Sequence, residues 1–346
     1  MDAQEPRAIY RGCGNRYFNF EDNKTYYRQT KGAATVKVKL INVDSKIPNL
    51  ALMKIAAYHK QLGDAVGFDI ENPDAVYISC IFTKNADRAR GIATYYPNAR
   101  IYLGGSGVDI TAKLPDEIER IRPDYTLYPE MDYSLGYTTR GCIRRCPFCI
   151  VPQKEGRLTR WQHIREFHDP KHKKVTVLDN NVYADRDWFF ENTDYVIENN
   201  LKFNAVQGMD IRILTEEIAQ RLGEIRWHGE LHFAFDNMRD ETHVIRGLEL
   251  LKNAGIHTRQ KVIFYVLTGF NTTFDEDIYR VNLLKEHGAN AFVMQYSPTP
   301  QTQRLANYAN RRWLYWRMSF NDYSPKTRYQ MQKEKKKVNK NNATLI

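Results

Sequence analysis

Three of the five cysteines lie within eight residues, at Cys142, Cys146 and Cys149, with the spacing C-x3-C-x2-C. Thiolates this close in sequence can converge on one metal centre, and sulfur ligands favour iron–sulfur clusters, zinc or copper(I). Three ligands leave a cubane cluster one short, so one iron stays open for a ligand that is not protein. The pattern therefore predicts a metal centre with one open position.

Structural zinc is the alternative for the same thiols. A closed zinc site takes four ligands, and the nearest candidates for the fourth are His163, His168 and His172. These histidines are distant in sequence and lie in a polar connection, so we expect each of them to be a solvated surface residue. The spacing and its context favour iron–sulfur over zinc.

Length, composition and charge restrict the class of protein. The chain has 346 residues, of which 42% are hydrophobic and 27% charged, which is typical of a globular protein with two domains. The net charge of +10 can attract nucleic acid or an acidic protein, although a basic run at residues 333–337 supplies part of it. The absence of a long apolar run, of a signal-peptide pattern and of paired cysteines predicts a cytoplasmic protein.

The first half of the chain alternates short strands with helices. Strands are predicted at 36–41, 75–80 and 101–103, and helices at 50–58, 85–95 and 115–121. This alternation indicates parallel βαβ units and a doubly wound sheet. We expect Cys80 to be a small core residue, Gly63 to end the first helix, and the glycines at 104–107 to form a tight turn in preference to a phosphate loop.

A second series of units follows. Strands are predicted at 137–139, 174–178, 203–206, 231–235, 262–267 and 291–295, and helices at 187–199, 215–222, 240–254 and 275–287. Six such repeats predict a partial, open parallel barrel, a fold that carries its chemistry at the carboxyl ends of its strands. The cysteines come directly after the first of these strands, so they belong to that end.

The chain is thus predicted to contain five segments. They are an N-terminal arm (1–34) in which Cys13 is a free thiol, a doubly wound domain (35–130), the partial barrel (131–298), an aromatic and basic extension (299–330) and a basic disordered tail (331–346). In the extension, the cations and aromatic residues at 311–318 could stack bases and grip phosphate. A helix that packs its tryptophans against the barrel is the favoured alternative.

The cysteine stretch, with Pro147 and Phe148 before its last thiol, closely resembles the signature of the radical S-adenosylmethionine enzymes. The resemblance covers about residues 137–296. It implies an α/β fold with a partial (β/α)6 barrel, in which the three cysteines hold a [4Fe–4S] cluster. The open iron is then chelated by the amino and carboxylate groups of S-adenosylmethionine. The segment before the barrel resembles a cobalamin-binding domain.

Positions for the cofactor follow from the same resemblance. Phe148 would lie near the adenine. The methionyl amino group would be met after the second strand by Asp179, Asn180 and Asn181, and the ribose or carboxylate would be reached after the third by Gln207, Asp210 and Arg212. The adenine would also be flanked after the fifth strand by Thr268 and Gly269. No catalytic residue is assigned.

One departure concerns cobalamin. Members of the family that ligate cobalt through histidine carry D-x-H-x-x-G, whereas the corresponding loop here, residues 43–48, contains Asp44 but no histidine. We therefore do not expect cobalamin, and the domain would be a structural relic or a substrate platform. The lack of a second cysteine group also argues against an auxiliary cluster.

The activity implied by the resemblance is reductive cleavage of S-adenosylmethionine, giving a 5′-deoxyadenosyl radical that acts on a substrate. A low-potential donor of the flavodoxin or ferredoxin type would supply the electron. Arg140, Arg144 and Arg145 would raise the potential of the cluster or dock the acidic donor, or else be merely solvent-exposed. The substrate is a nucleic acid or nucleotide, or else a small metabolite or peptide. The alternative function is a zinc- or cluster-stabilised nucleic-acid-binding protein without catalysis.

Overall fold

A computed structural model describes residues 35–326 and residue 329. The predicted arm (1–34), which includes Cys13, and the predicted tail (331–346) lie outside these residues. The described chain divides into an N-terminal unit (residues 35–137, Ile150–Arg157 and Trp161–Lys173) and a C-terminal unit (Thr138–Cys149, Leu158–Arg160 and residues 174–326). Within the described part, every helix is too short or too polar to cross a membrane.

The N-terminal unit contains a four-stranded parallel sheet. Its strands and crossover helices are β1 (Lys37–Asn42), α1 (Leu50–Gln61), β2 (Ala65–Gly67), β3 (Ala75–Ser79), α2 (Ala86–Ala93) and β4 (Arg100–Gly104). The strand order is β2-β1-β3-β4. All five residues of β3 are buried, as expected for an inner strand covered on both faces. The prediction of parallel βαβ units is confirmed, although β2 is too short to give a sequence pattern.

Local signals set the ends of these elements. The side chain of Asn49 accepts a hydrogen bond from the amide of Leu52 and caps α1, and Gly63, with φ of 79°, follows its last residues as predicted. Cys80 is fully buried. A Cβ on Gly105 would lie 2.3 Å from the Cys80 carbonyl oxygen, so this glycine is required by close backbone approach.

The remaining elements of the unit are short: α3 (Asp116–Glu119), β5 (Ser134–Gly136), α4 (Val151–Lys154) and α5 (Ile164–Phe167). The expectation of solvated histidines is wrong for His163 and His168, which are buried, whereas His172 is half-buried. The Nδ1 atom of His163 accepts a hydrogen bond from the amide of Arg165 and caps α5, and Nε2 of His168 bonds the carbonyl of His172 at 3.0 Å. These rings satisfy backbone groups at helix and turn ends, which burial would otherwise leave unpaired.

The C-terminal unit begins with a two-residue antiparallel strand that includes only Thr139 of the strand predicted at 137–139. The chain makes β6 (Thr139–Arg140), which pairs with β7 (Thr159–Arg160) in an antiparallel arrangement. The amides of Thr138 and Thr139 donate to the buried carboxylate of Asp179 at 2.7 and 2.8 Å. Amides that donate to a side chain cannot also donate to a neighbouring strand, which explains why the strand predicted at 137–139 does not form as predicted.

The rest of the C-terminal unit is α/β with parallel strands. Its elements are β8 (Lys174–Val177), α6 (Arg186–Glu198), β9 (Lys202–Ala205), α7 (Glu216–Glu224), β10 (Leu231–Ala234), α8 (Glu241–Asn253), α9 (Thr258–Lys261), β11 (Val262–Thr268), α10 (Phe274–Glu286) and β12 (Asn290–Gln295). β8 pairs with β9, and β10, β11 and β12 form a second parallel sheet. Single parallel bridges join Phe203 to Trp227 and Met209 to Phe233. The predicted strands and helices from residue 174 onward match within a few residues.

The aromatic extension contains α11 (Pro300–Ala309) and α12 (Arg312–Arg317). Tyr315 of α12 is fully buried, and its hydroxyl lies 3.0 Å from the carbonyl oxygen of Val281. The indole of Trp316 donates to Asn290 at 2.9 Å, while the guanidinium of Arg259 lies over its ring. These aromatic side chains pack within the unit, as in the packing alternative.

Candidate metal centre

The three clustered cysteines occupy one loop, residues 141–149, called the thiol loop below. Gly141 follows β6 with φ of 76°, a left-handed conformation that glycine adopts without a Cβ penalty. A turn then forms because the amide of Cys149 donates to the carbonyl of Cys146 at 3.0 Å. Cys142 and Cys146 are half-buried, and Cys149 is exposed.

The thiols are close enough to influence one another electrostatically. Burial raises the pKa of Cys142 and of Cys146, and the charge of Cys149 adds to both shifts. Opposing this, the positive charge of Arg212 lowers the pKa of Cys146, and the amide of Arg144 donates to the sulfur of Cys142 at 3.4 Å. Arg212 and the Arg144 amide thus favour the thiolate forms, but burial outweighs them and the net shift of both pKa values is upward.

The donor set consists of three thiols in one loop, a kind of ligand that both iron–sulfur groups and zinc take. Three mutually interacting thiols with nearby cations suit an anionic iron–sulfur group. Across residues 35–326 and residue 329, no three His, Cys, Asp or Glu side chains are arranged so that they could hold a metal ion. The thiols of a [4Fe–4S] cluster each bind a different iron, so they need not converge on one point as the ligands of a single ion do.

Asp210 connects the thiol loop to the segment after β9. Its carboxylate is only 8% exposed. It accepts a hydrogen bond from Nε of Arg144 at 2.7 Å and from Nε of Arg212 at 2.6 Å. Burial opposes ionisation of this carboxyl, but the hydrogen bonds and charges of the two arginines lower its pKa. Two of the residues predicted to meet the cofactor, Asp210 and Arg212, are thus joined in one ion-paired group.

The residues after β8 also reach the loop. Asp179 holds Thr138 and Thr139, Asn180 donates to the carbonyl of Gly141 at 3.2 Å, and the Oδ1 of Asn181 accepts from the amide of Asp210 at 3.3 Å. Asn181 is 2% exposed, and its Nδ2 has no hydrogen-bond partner among the described residues. A buried donor without a partner fits an acceptor oxygen of a bound ligand.

Phe148 connects the loop to the carboxyl end of β11. Its ring meets Phe270 edge-on at 5.3 Å, and Phe270 meets Tyr296 at 4.7 Å. Next to this cluster, Thr268 is buried and donates to the carbonyl of Met294, and Gly269 has φ of 74°. Gln207 is exposed, and no described contact of its side chain ties it to the loop.

A half-buried carboxylate after β10 has no role in the sequence-based predictions. Asp236 accepts a hydrogen bond from the amide of Leu267 at 3.3 Å, and its charge adds to the raised pKa of Cys146. Burial raises the pKa of Asp236 itself to about 6. Its place after an apolar strand was visible in sequence, but its electrostatic effect on Cys146 was not.

One face of the second sheet is aromatic and open. The rings of His232 and Tyr265 stack at 5.3 Å on neighbouring strands β10 and β11, and Tyr265 meets Phe292 edge-on. Phe292, Met294 and Tyr296, on β12 and directly after it, are 39%, 46% and 52% exposed. Parallel sheets are normally covered on both faces, so this face provides apolar surface that a ligand could cover.

Replacing Asp236 by asparagine is expected to change how stability depends on pH. An unfolded aspartate titrates near about 3.9, whereas the folded carboxyl titrates at about 6. The folded chain therefore binds more protons between these values, and its free energy of unfolding falls as pH rises through this range. Asp236→Asn removes that loss, so the variant should gain stability relative to the wild type as pH rises from about 4 to about 7, measured by urea unfolding.

Asp185→Asn is the control with the opposite sign. The side-chain hydrogen bond from Arg160 lowers the pKa of Asp185, so its stabilising effect is present above the unfolded pKa and is lost as pH falls. The cost of this substitution should therefore grow with pH. Parallel pH trends for the two variants would contradict the assignment of Asp236.

Comparison with known proteins gives no family for this chain. No protein-family model matches it, and no curated protein matches it. The fold and the site by themselves define an α/β protein with two parallel-stranded units and a loop of three interacting thiols.

Proposed function

We propose that the protein is a radical S-adenosylmethionine enzyme, with a [4Fe–4S] cluster on Cys142, Cys146 and Cys149. The observation that carries the proposal is the spacing of these thiols in one loop, where Arg212 partly opposes the rise that burial causes in the pKa of Cys146. A cluster held there would supply one-electron reduction: an electron from an external donor would divide S-adenosylmethionine into methionine and a 5′-deoxyadenosyl radical. The protein itself would bind and orient the cofactor and the substrate, and would exclude water from them.

The residues around the loop support a cofactor pocket. The unpartnered Nδ2 of Asn181 and the guanidinium of Arg212 would bind acceptor oxygens of S-adenosylmethionine, and Phe148 with Phe270 would border its adenine. Asp179 has both oxygens engaged by Thr138 and Thr139, so we assign it to fixing the start of the loop. Gln207 and the Thr268–Gly269 backbone remain proposed cofactor contacts.

We further propose that the parallel strands of the C-terminal unit belong to a partial (β/α)6 barrel. Five strands that alternate with helices support this architecture, as do the parallel bridges from Phe203 of β9 to Trp227 and from Met209 to Phe233 of β10. The substrate would lie against the aromatic face of β10–β12. An acidic, low-potential electron donor would dock at the exposed Arg145 beside the thiols.

Anaerobic reconstitution of the full chain with iron and sulfide tests the proposal. We expect about four iron atoms per chain and, with dithionite and S-adenosylmethionine, formation of methionine and 5′-deoxyadenosine. Iron content and product chromatography are the measurements. Stoichiometric zinc with no cleavage would reject the enzyme and favour a metal-stabilised binding protein.

A further inference from the structure

Arg144 links the thiol loop to the segment after β9 through hydrogen bonds of its backbone and of its side chain. Arg144 lies between Cys142 and Cys146, where its amide donates to the sulfur of Cys142 and its side chain donates to Asp210. The same carboxylate also accepts from the amide and from two side-chain nitrogens of Arg212. Removing the carboxylate would therefore release the side-chain anchor of the loop.

Asp210 is itself held rigidly. Its amide donates to Asn181, and its carbonyl accepts the hydroxyl of the buried Tyr183 at 2.9 Å. Its side chain also caps the turn Ile211–Ile213. Because neither its backbone nor its side chain is free to move, Asp210 can fix the position of Arg144.

We propose that Asp210 is the positioning residue of the thiol loop: it holds Arg144 and Arg212 beside the sulfurs and sets the net charge there. The claim that Asp210 positions the loop applies to the metal-free chain. The claim that it sets the charge at a cluster rests on the proposed function.

The charges make the second role testable. Arg144 and Arg212 share the Asp210 carboxylate, and Asp240 also lies 3.7 Å from Arg212, so these four groups together set the net charge beside the thiols. Asp210→Asn raises this by one charge, and Arg144→Gln lowers it by one. Since positive surroundings favour the reduced, more negative cluster, the two variants should shift its midpoint potential in opposite directions.

Hydrogen–deuterium exchange of the metal-free full chain tests the positioning role. Asp210→Ala should speed exchange of the amides at 141–149 about tenfold or more, because charge-assisted hydrogen bonds to the loop are lost. Arg144→Gln leaves the Asp210–Arg212 pair intact and should also speed loop exchange, so the result does not depend on one variant folding. Glu217→Gln is the matched control: it breaks a surface pair with Arg186 in the same unit and should leave the loop unchanged. Unchanged exchange in both loop variants would overturn the proposal.

Redox potentiometry of the reconstituted chain, followed by electron paramagnetic resonance, tests the charge role. We expect a higher midpoint potential for Asp210→Asn, a lower one for Arg144→Gln and the wild-type value for Glu217→Gln. A purely structural role predicts shifts unrelated to the sign of the charge, and shifts of the same sign would overturn the charge role. Failure of the wild type to assemble a cluster would overturn the proposed function and the charge role with it, whereas the exchange result decides the positioning role independently.

Discussion

Replacing Cys142, Cys146 or Cys149 singly by alanine is expected to abolish iron binding and S-adenosylmethionine cleavage. Each substitution leaves two thiolates on a cluster that would have only three from the protein. Within the described residues no neighbouring set of side chains forms a substitute site. After anaerobic reconstitution, iron should fall from about four per chain to background, and 5′-deoxyadenosine should be undetectable.

Cys80→Ser provides the matched control for these variants. Cys80 is fully buried in the N-terminal unit, and its sulfur lies 3.5 Å from Asp44, a contact that a serine hydroxyl can also make. This variant should keep wild-type iron content and cleavage. Full iron content in any of the three loop variants would remove that cysteine from the proposed ligand set.

Replacing Arg280 by methionine is expected to lower the free energy of unfolding by about 3–5 kcal/mol. The Arg280 side chain is 0% exposed, donates to Asp277 at 2.6 Å and to the Leu267 carbonyl at 2.7 Å, and also donates to the Phe235 carbonyl. Methionine fills much of the volume but leaves a buried carboxylate and two carbonyls without this donor. Urea unfolding measures the loss.

Arg186→Met is the surface control for this substitution. Arg186 pairs with Glu217 where both side chains are about half exposed, so its loss should cost only about 0–1 kcal/mol. The double variant Asp277→Leu/Arg280→Met removes both charges and should regain part of the stability lost in the single variant. Equal costs for Arg280→Met and Arg186→Met would show that the buried arginine is dispensable.

Sequence periodicity was sufficient to predict most strands and helices. β3 and β11 are runs of apolar and β-branched residues bounded by polar segments, a pattern that follows directly from burial in a parallel sheet. The thiol loop was equally visible, because its ligands are close in the chain. Local patterns of this kind do not depend on how distant segments meet in the fold.

Contacts between distant segments were not predictable in the same way. Arg144 and Asp210 are 66 residues apart, and Asp179 binds Thr138 from 41 residues away. Nothing in the sequence around these residues shows that their side chains are paired in the fold and not exposed to solvent. The burial of His163 and His168 was missed for the same reason, since a polar connection can still fold back over a core.

A methionine on the open face of β12 can report whether another molecule covers that face. Met294 lies between Phe292 and Tyr296 on that face, and its thioether is accessible to peroxide, which converts it to the polar sulfoxide. Any molecule that covers the aromatic surface would shield this sulfur. The rate of methionine oxidation therefore reports occupancy of the face without a label, whatever the chemical identity of the ligand.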